Sequence, residues 1–217
     1  MKMPIWLIVS ILALASCSVA KPHEKNLANE AQPLGLKEVS SQQLDAVYIA
    51  DNPAFTSYKQ VILEPLDMSS VEIRKPSNIN SVHDTPWELN DQDRRFYQER
   101  YSLSMQKEWF EKSGLMQTTQ ATAQTLKVKA TLVEIAPLGS KDDSKGRPLM
   151  TKVYSEGVGT MTLKIEVSDA VSGKILALIS DERDLGKLWE ENNRVTFNQK
   201  VRIAFSAWAS RLQKQLM

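Results

Sequence analysis

Apolar and polar positions alternate most clearly over Thr125–Leu138. Leu126, Val128, Ala130 and Leu132 fall on one side of an extended chain, and Lys127, Lys129 and Thr131 on the other. A period of two is the pattern of a strand with one buried and one wet face. The pattern returns with Met161, Leu163, Ile165 and Val167 set against Thr162, Lys164 and Glu166. Asp169–Lys174 predicts a tight turn, because Gly173 takes positive φ at little cost. Ile175–Ile179 is then a short, continuously apolar strand, and the three strands are expected to form an antiparallel meander. An earlier strand is predicted in Tyr58–Met68, where Val61 and Leu63 alternate with Gln60 and Glu64. Pro65 cannot donate to a ladder, so it belongs at a strand end, edge or bulge. Val71 and Ile73 suggest one further extended piece, and Pro76–Pro86 is a polar, turn-rich loop.

Two stretches repeat at helical spacing instead. Asn90 is a suitable N-cap, Asp91 and Asp93 place negative charge in the first turn, and Gly114 offers a stop. Within this helix Tyr97, Tyr101, Met105 and Trp109 recur every four residues, and Phe96, Leu103 and Phe110 every seven. At about 100° per residue the two rows lie well apart around the axis. Either the helix is packed on two sides by its own domain, or the row Tyr97, Tyr101, Met105 and Trp109 is a surface that docks a partner. The second helix follows Asn193. Phe197, Val201, Ala204, Phe205, Trp208, Leu212 and Leu216 share one face, with Lys200, Arg202, Arg211 and Lys214 off it. That is the pattern of a helix covering a sheet, with a partner-binding amphipathic helix as the alternative.

The N-terminus has the layout of an export signal. Lys2 is followed by an apolar run from Ile5 to Ala15 broken only by Ser10, and then by small residues. The run is too short for a bilayer core of roughly 30 Å, which needs about 20 residues. Leu14-Ala15-Ser16-Cys17 resembles the lipobox of bacterial lipoproteins. The resemblance implies cleavage before Cys17, a thioether-linked diacylglycerol on its sulfur, and usually an N-acyl chain. Two or more chains anchor stably where one does not. In Gram-negative lipoproteins an aspartate after the cysteine commonly marks inner-membrane retention. Ser18 stands there, so the resemblance implies the outer membrane, with the body facing the periplasm. From Ser18 to about Ser41 no period persists, and Pro22, Pro33 and Gly35 sit among polar residues, which reads as a flexible tether. The expected organisation is a signal peptide at 1–16, lipidated Cys17 and tether at 17–43, and one domain at 44–217.

Composition narrows the function further. The chain has 217 residues, 42% hydrophobic and 24% charged, which is ordinary for one globular domain. Loss of residues 1–16 removes one lysine and leaves 26 basic against 26 acidic residues, so nothing draws it to nucleic acid. One cysteine excludes a disulfide framework and any multi-cysteine metal or iron–sulfur site. Of the two histidines, His23 lies in the tether and His83 in a loop beside Asp84 and near Ser81, too crowded along the chain for triad geometry. There is no Gly-x-Ser-x-Gly elbow, and Gly139–Gly146 lacks the lysine and hydroxyl of a phosphate loop. Gly157-Val-Gly159 reads as a bulge or loop exit, and Asp142-Asp143 is offset by Lys141 and Lys145. Asp181-Glu-Arg-Asp184 and Glu190-Glu191 are paired acids in form only. Trp87 and Trp189, near loops, either line a groove or plug a sheet edge. The expectation is no catalytic residue, no cofactor and no metal site.

Three stretches, taken in order after the lipobox, carry a resemblance to a family of Gram-negative lipoproteins with a domain of unknown function. They are Ser57–Pro65, the helix beginning near Asp91, and Gly159–Lys174. The family implies no catalytic residues. The order strand, helix, three strands, helix predicts an α+β fold: a mainly antiparallel sheet of about four strands with two helices packed on it. The leading functional reading is a lipid-anchored, non-catalytic accessory or binding module of a cell-envelope assembly, bound to the membrane through Cys17 and to an envelope protein partner. The alternative is an envelope-acting enzyme or small-ligand-binding lipoprotein with acids near Glu156, Asp181 or Glu190 in a cleft.

Overall fold

The computed structural model describes residues 22–75, 87–138 and 154–217. Its centre is the meander of strands β6 (Thr125–Pro137), β8 (Gly159–Asp169) and β9 (Ile175–Asp184), antiparallel throughout, with Val128 opposite Val167 and Ile165 opposite Ile179. Leu126, Val128, Ala130, Leu132, Met161, Leu163, Ile165 and Val167 all point to one face and are buried. In the turn after β8, Gly173 has φ 71, and the Asp169 carboxylate accepts the N–H groups of Val171 and Ser172. The register shifts between Leu132 and Glu134, so Val133 is one residue more than the partner strand opposes. That extra residue reverses the parity of β6. It returns Ile135 to the buried face and turns Glu134 away from it.

The sheet has more strands than the four the sequence pattern predicts, and it is mixed but mainly antiparallel, as expected. Among the described residues it has eight strands. On one side β2 (Ala46–Ile49) pairs antiparallel with β9, and β1 (Lys37–Glu38) with β2. On the other side β3 (Gln60–Leu63) pairs parallel with β6, and β5 (Met116–Gln117) parallel with β3. The piece expected around Val71 and Ile73 is β4 (Glu72–Ile73), parallel to the distal half of β6. Pro65 falls just past the end of β3, where no ladder bond is needed. A separate two-stranded ribbon joins β7 (Tyr154–Glu156) to β10 (Trp189–Glu191).

Helix α2 (Asp91–Ser104) opens with a reciprocal cap: the Asn90 side chain accepts the Asp93 N–H, and the Asp93 carboxylate accepts the Asn90 N–H, both at 3.0 Å. It continues through a π-helical turn, Met105–Phe110, into the short α3 (Glu111–Ser113), and Gly114 stops it at φ 68. The wide turn has a cause in the sequence. A row repeating every four residues drifts about 40° per step around an α-helix. A turn closed by i→i+5 bonds unwinds that drift. Met105, Trp109 and Phe110 can then all face inward, and each is at most 1% exposed.

Helix α4 (Arg194–Leu216), capped by Asn193 Oδ1 accepting the Thr196 N–H at 2.9 Å, crosses the same face. Its predicted apolar row is buried throughout. Phe205 stands at the centre, with ring centroids 6.4 Å from Tyr97, 6.1 Å from Tyr101 and 5.6 Å from Trp208.

The stretch read as a tether is ordered from Pro22 onward. Helix α1 (Pro22–Ala31) lies on the opposite face of the sheet, where Leu27, Ala31, Leu36, Ala46 and Leu178 make a second small core. Glu30 bonds Lys164 of β8, and β1 extends the sheet. Single leucines spaced among polar residues gave no visible period, yet they suffice because the sheet supplies the rest of the apolar surface.

Candidate functional site

The row Tyr97, Tyr101, Met105 and Trp109 is not a docking surface. These side chains are 1%, 0%, 1% and 0% exposed and form the layer between the helices and the sheet. The alternative weighed for this helix, packing by its own domain, accounts for them. Cys17, Ser81, His83, Asp84 and the Gly139–Arg147 loop with Asp142-Asp143 lie outside the described residues; His23 falls in the first turn of α1.

The structure does build one node of charge, at the end of β9. Asp181 projects to the core face and is 3% exposed. Its Oδ2 accepts Trp208 Nε1–H at 2.8 Å and Arg183 Nε–H at 2.7 Å, and its Oδ1 accepts the backbone N–H of Asp45 at 2.9 Å. Burial pushes the carboxyl above its ordinary value, against the pull of the Arg183 guanidinium and of its hydrogen bonds. Asp45 returns the contact by accepting the Glu182 N–H at 3.0 Å. The Gln43 carbonyl accepts from Arg183 Nη2 at 2.9 Å and from Arg211 Nη1 at 2.7 Å. Sheet, helix α4 and residues 41–45 are thereby tied at one point. A shallow polar cleft of about 610 Å³ lies over it, with Lys187 and Asp184 on its rim.

With three donors on two oxygens, Asp181 ties these elements together. The other acids of the enzymatic reading do not join it. Glu190 pairs with Lys200 at 2.8 Å, and Glu156 lies on the outer side of the β7–β10 ribbon. Among the described residues no group of three or more His, Cys, Asp or Glu stands close enough to hold a metal ion. The tie was only half visible beforehand. The acids of 181–184 follow an apolar strand, but nothing along the chain pairs them with Trp208, which the helical period assigns to the core for its ring alone.

The two tryptophans near loops part company. Trp87 is buried, its ring 5.1 Å from that of Phe197, so it plugs the core. Trp189 is 73% exposed on the ribbon; Leu188 before it and Val195 at the start of α4 are exposed as well. The ribbon's inner side is held by Asn192 Nδ2 donating to Ser155 Oγ at 2.9 Å, by Ser155 Oγ donating to the Gly157 carbonyl, and by the Glu190–Lys200 pair.

A family model described as a protein of unknown function, DUF3313, matches residues 27–212, which meets the expectation of an uncharacterised domain family. No curated protein matches the chain. Among solved structures, the PelC dodecamer from Paraburkholderia phytofirmans is 10% identical at a TM-score of 0.39, covering 77% of this chain and 98% of that one. Protein XCC0632 from Xanthomonas campestris is 11% identical at 0.39, covering 77% and 90%. A putative neuraminyllactose-binding hemagglutinin homolog from Helicobacter pylori is 14% identical at 0.39, covering 82% and 91%.

Proposed function

This chain belongs to the DUF3313 family, and we propose that it acts there as a lipid-anchored lipoprotein of the outer membrane, a non-catalytic binding module whose domain faces the periplasm. The observation that carries this is Leu14-Ala15-Ser16-Cys17, in register behind a charged start and an apolar run. Two structural facts support it. No helix among the described residues is long and apolar enough to cross a membrane. Among the described residues the first helix starts at Pro22, five residues after Cys17. At no more than about 3.5 Å per residue these span at most about 18 Å, so the body works close against the bilayer rather than on a long leash. The non-catalytic reading is supported by the engagement of Asp181 and Glu190 in structural pairs.

The test is metabolic labelling with a clickable fatty acid, followed by separation of inner and outer membranes. The native chain is expected to carry the label and sediment with the outer membrane, and Cys17→Ala to lose both. Label that persists in the variant, or a native chain found free in the soluble fraction, overturns the anchor. Cross-linking of the labelled lipoprotein in cells then identifies its partner.

A further inference from the structure

The outer side of the β7–β10 ribbon has a composition that neither the core nor the anchor uses. Side chains alternate along each strand, and Ser155 and Glu190 turn inward to Asn192 and Lys200. Tyr154, Glu156, Trp189 and Glu191 therefore face outward together. Trp189 stands directly opposite Glu156, and Glu191 opposite Tyr154, so each ring has a carboxylate beside it and the two rings are diagonal neighbours. Trp189 is 73% and Tyr154 48% exposed. Beneath them the backbone is fixed. A Cβ on Gly157 would meet the Gly186 carbonyl oxygen at 2.1 Å, and the Gly157 N–H donates to the Leu188 carbonyl at 2.9 Å.

We propose that this face binds a β-linked oligosaccharide, whose flat pyranose rings stack on Trp189 and Tyr154 while Glu156 accepts hydrogen bonds from the hydroxyls. Size and charge select this occupant. Three residues by two strands make a patch some 10 Å across, far short of the roughly 800 Å² per partner of a stable protein interface. An anionic lipid surface would be repelled by Glu156. A neutral sugar offers an apolar ring face to the aromatics and donors to the acid, and the fixed ribbon loses little freedom in binding it. The assignment stands whether or not Cys17 is acylated.

The experiment titrates the full chain in detergent with N-acetylchitotetraose and cellotetraose, followed by tryptophan emission and by saturation-transfer NMR on the sugar. Trp87, Trp109 and Trp208 are buried and Trp6 lies in the leader, so a blue shift reports Trp189. Saturable binding of either sugar is expected, kept in Trp189→Phe, with Trp189→Ala weaker by about tenfold and its melting temperature unchanged. Absence of binding by both sugars, or equal binding by Trp189→Ala, overturns the proposal. So does a self-association or protein cross-link that Trp189→Ala abolishes while sugars leave the emission unmoved.

Discussion

Trp208→Phe isolates the bond at the heart of the charged tie. The phenyl ring keeps most of the contact with Phe205 but removes the Nε1–H that Asp181 accepts at 2.8 Å. A hydrogen bond to a charged acceptor contributes about 1.5–3 kcal/mol. A residual cavity of roughly 40 Å³ adds about 1 kcal/mol. The loss is then about 3 kcal/mol, or a fall in melting temperature of about 6–12 °C for a chain of this size. The assay is thermal and urea unfolding of Trp208→Phe, Asp181→Asn and the double variant. Because the two side chains touch, the single losses should exceed the double loss by about 1 kcal/mol or more.

The pH dependence has a definite sign. The folded Asp181 carboxyl lies above its ordinary value because it is buried, so its own contribution to stability is present in acid and lost as pH rises through the folded value. Removing the indole donor raises the carboxyl further. The Trp208→Phe deficit is therefore largest at neutral pH and shrinks in acid. Equal losses in the native and Asp181→Asn backgrounds, to within about 0.5 kcal/mol, would refute the claim that this bond fastens α4 to β9.

The remaining outcomes concern the backbone and the acid limb. Gly159 sits at φ 139, and a Cβ there would meet the Ala136 carbonyl oxygen at 2.4 Å; Gly159→Ala should lower stability by about 3 kcal/mol in urea unfolding, and a loss under about 1 kcal/mol would show that β8 can shift at its start. Asp169 is held below its ordinary value, first by the backbone N–H of Ser172 and then by that residue's hydroxyl. Its stabilisation is thus present above pH 3.8 and lost as pH falls, and Asp169→Ala should unfold with a shallower dependence in that range.

What the chain declares in advance is decided by how local its cause is. The meander and α4 each bury one face along one element, so period alone reveals them. The parallel pairing of β3 with β6 is a relation across the chain, yet a clue was present: a long helix separates the two strands, as a parallel crossover requires. The extra residue at Val133 hides inside an apolar run, where Leu132, Val133 and Ile135 cannot reveal which of them is surplus. Helix α1 is missed because Leu27 and Ala31, the side chains it is seen to add to a core completed by Leu36, Ala46 and Leu178, stand isolated among polar residues. The four-residue row is legible, and of its two readings packing by the same domain is the one realised; the π-helical turn that carries Met105, Trp109 and Phe110 inward together has no signature along the chain beyond that spacing.

The rims of the large sheet carry a consequence for assembly. Its outermost members, Lys37–Glu38 and Met116–Gln117, are two residues long, so neither offers a run of open amide and carbonyl groups on which a foreign extended chain could template itself. Among the described residues, the two ends of the strand order are thus poor templates for lateral zippering. Copies of the protein that crowd together would meet at these two ends through side chains rather than by strand pairing.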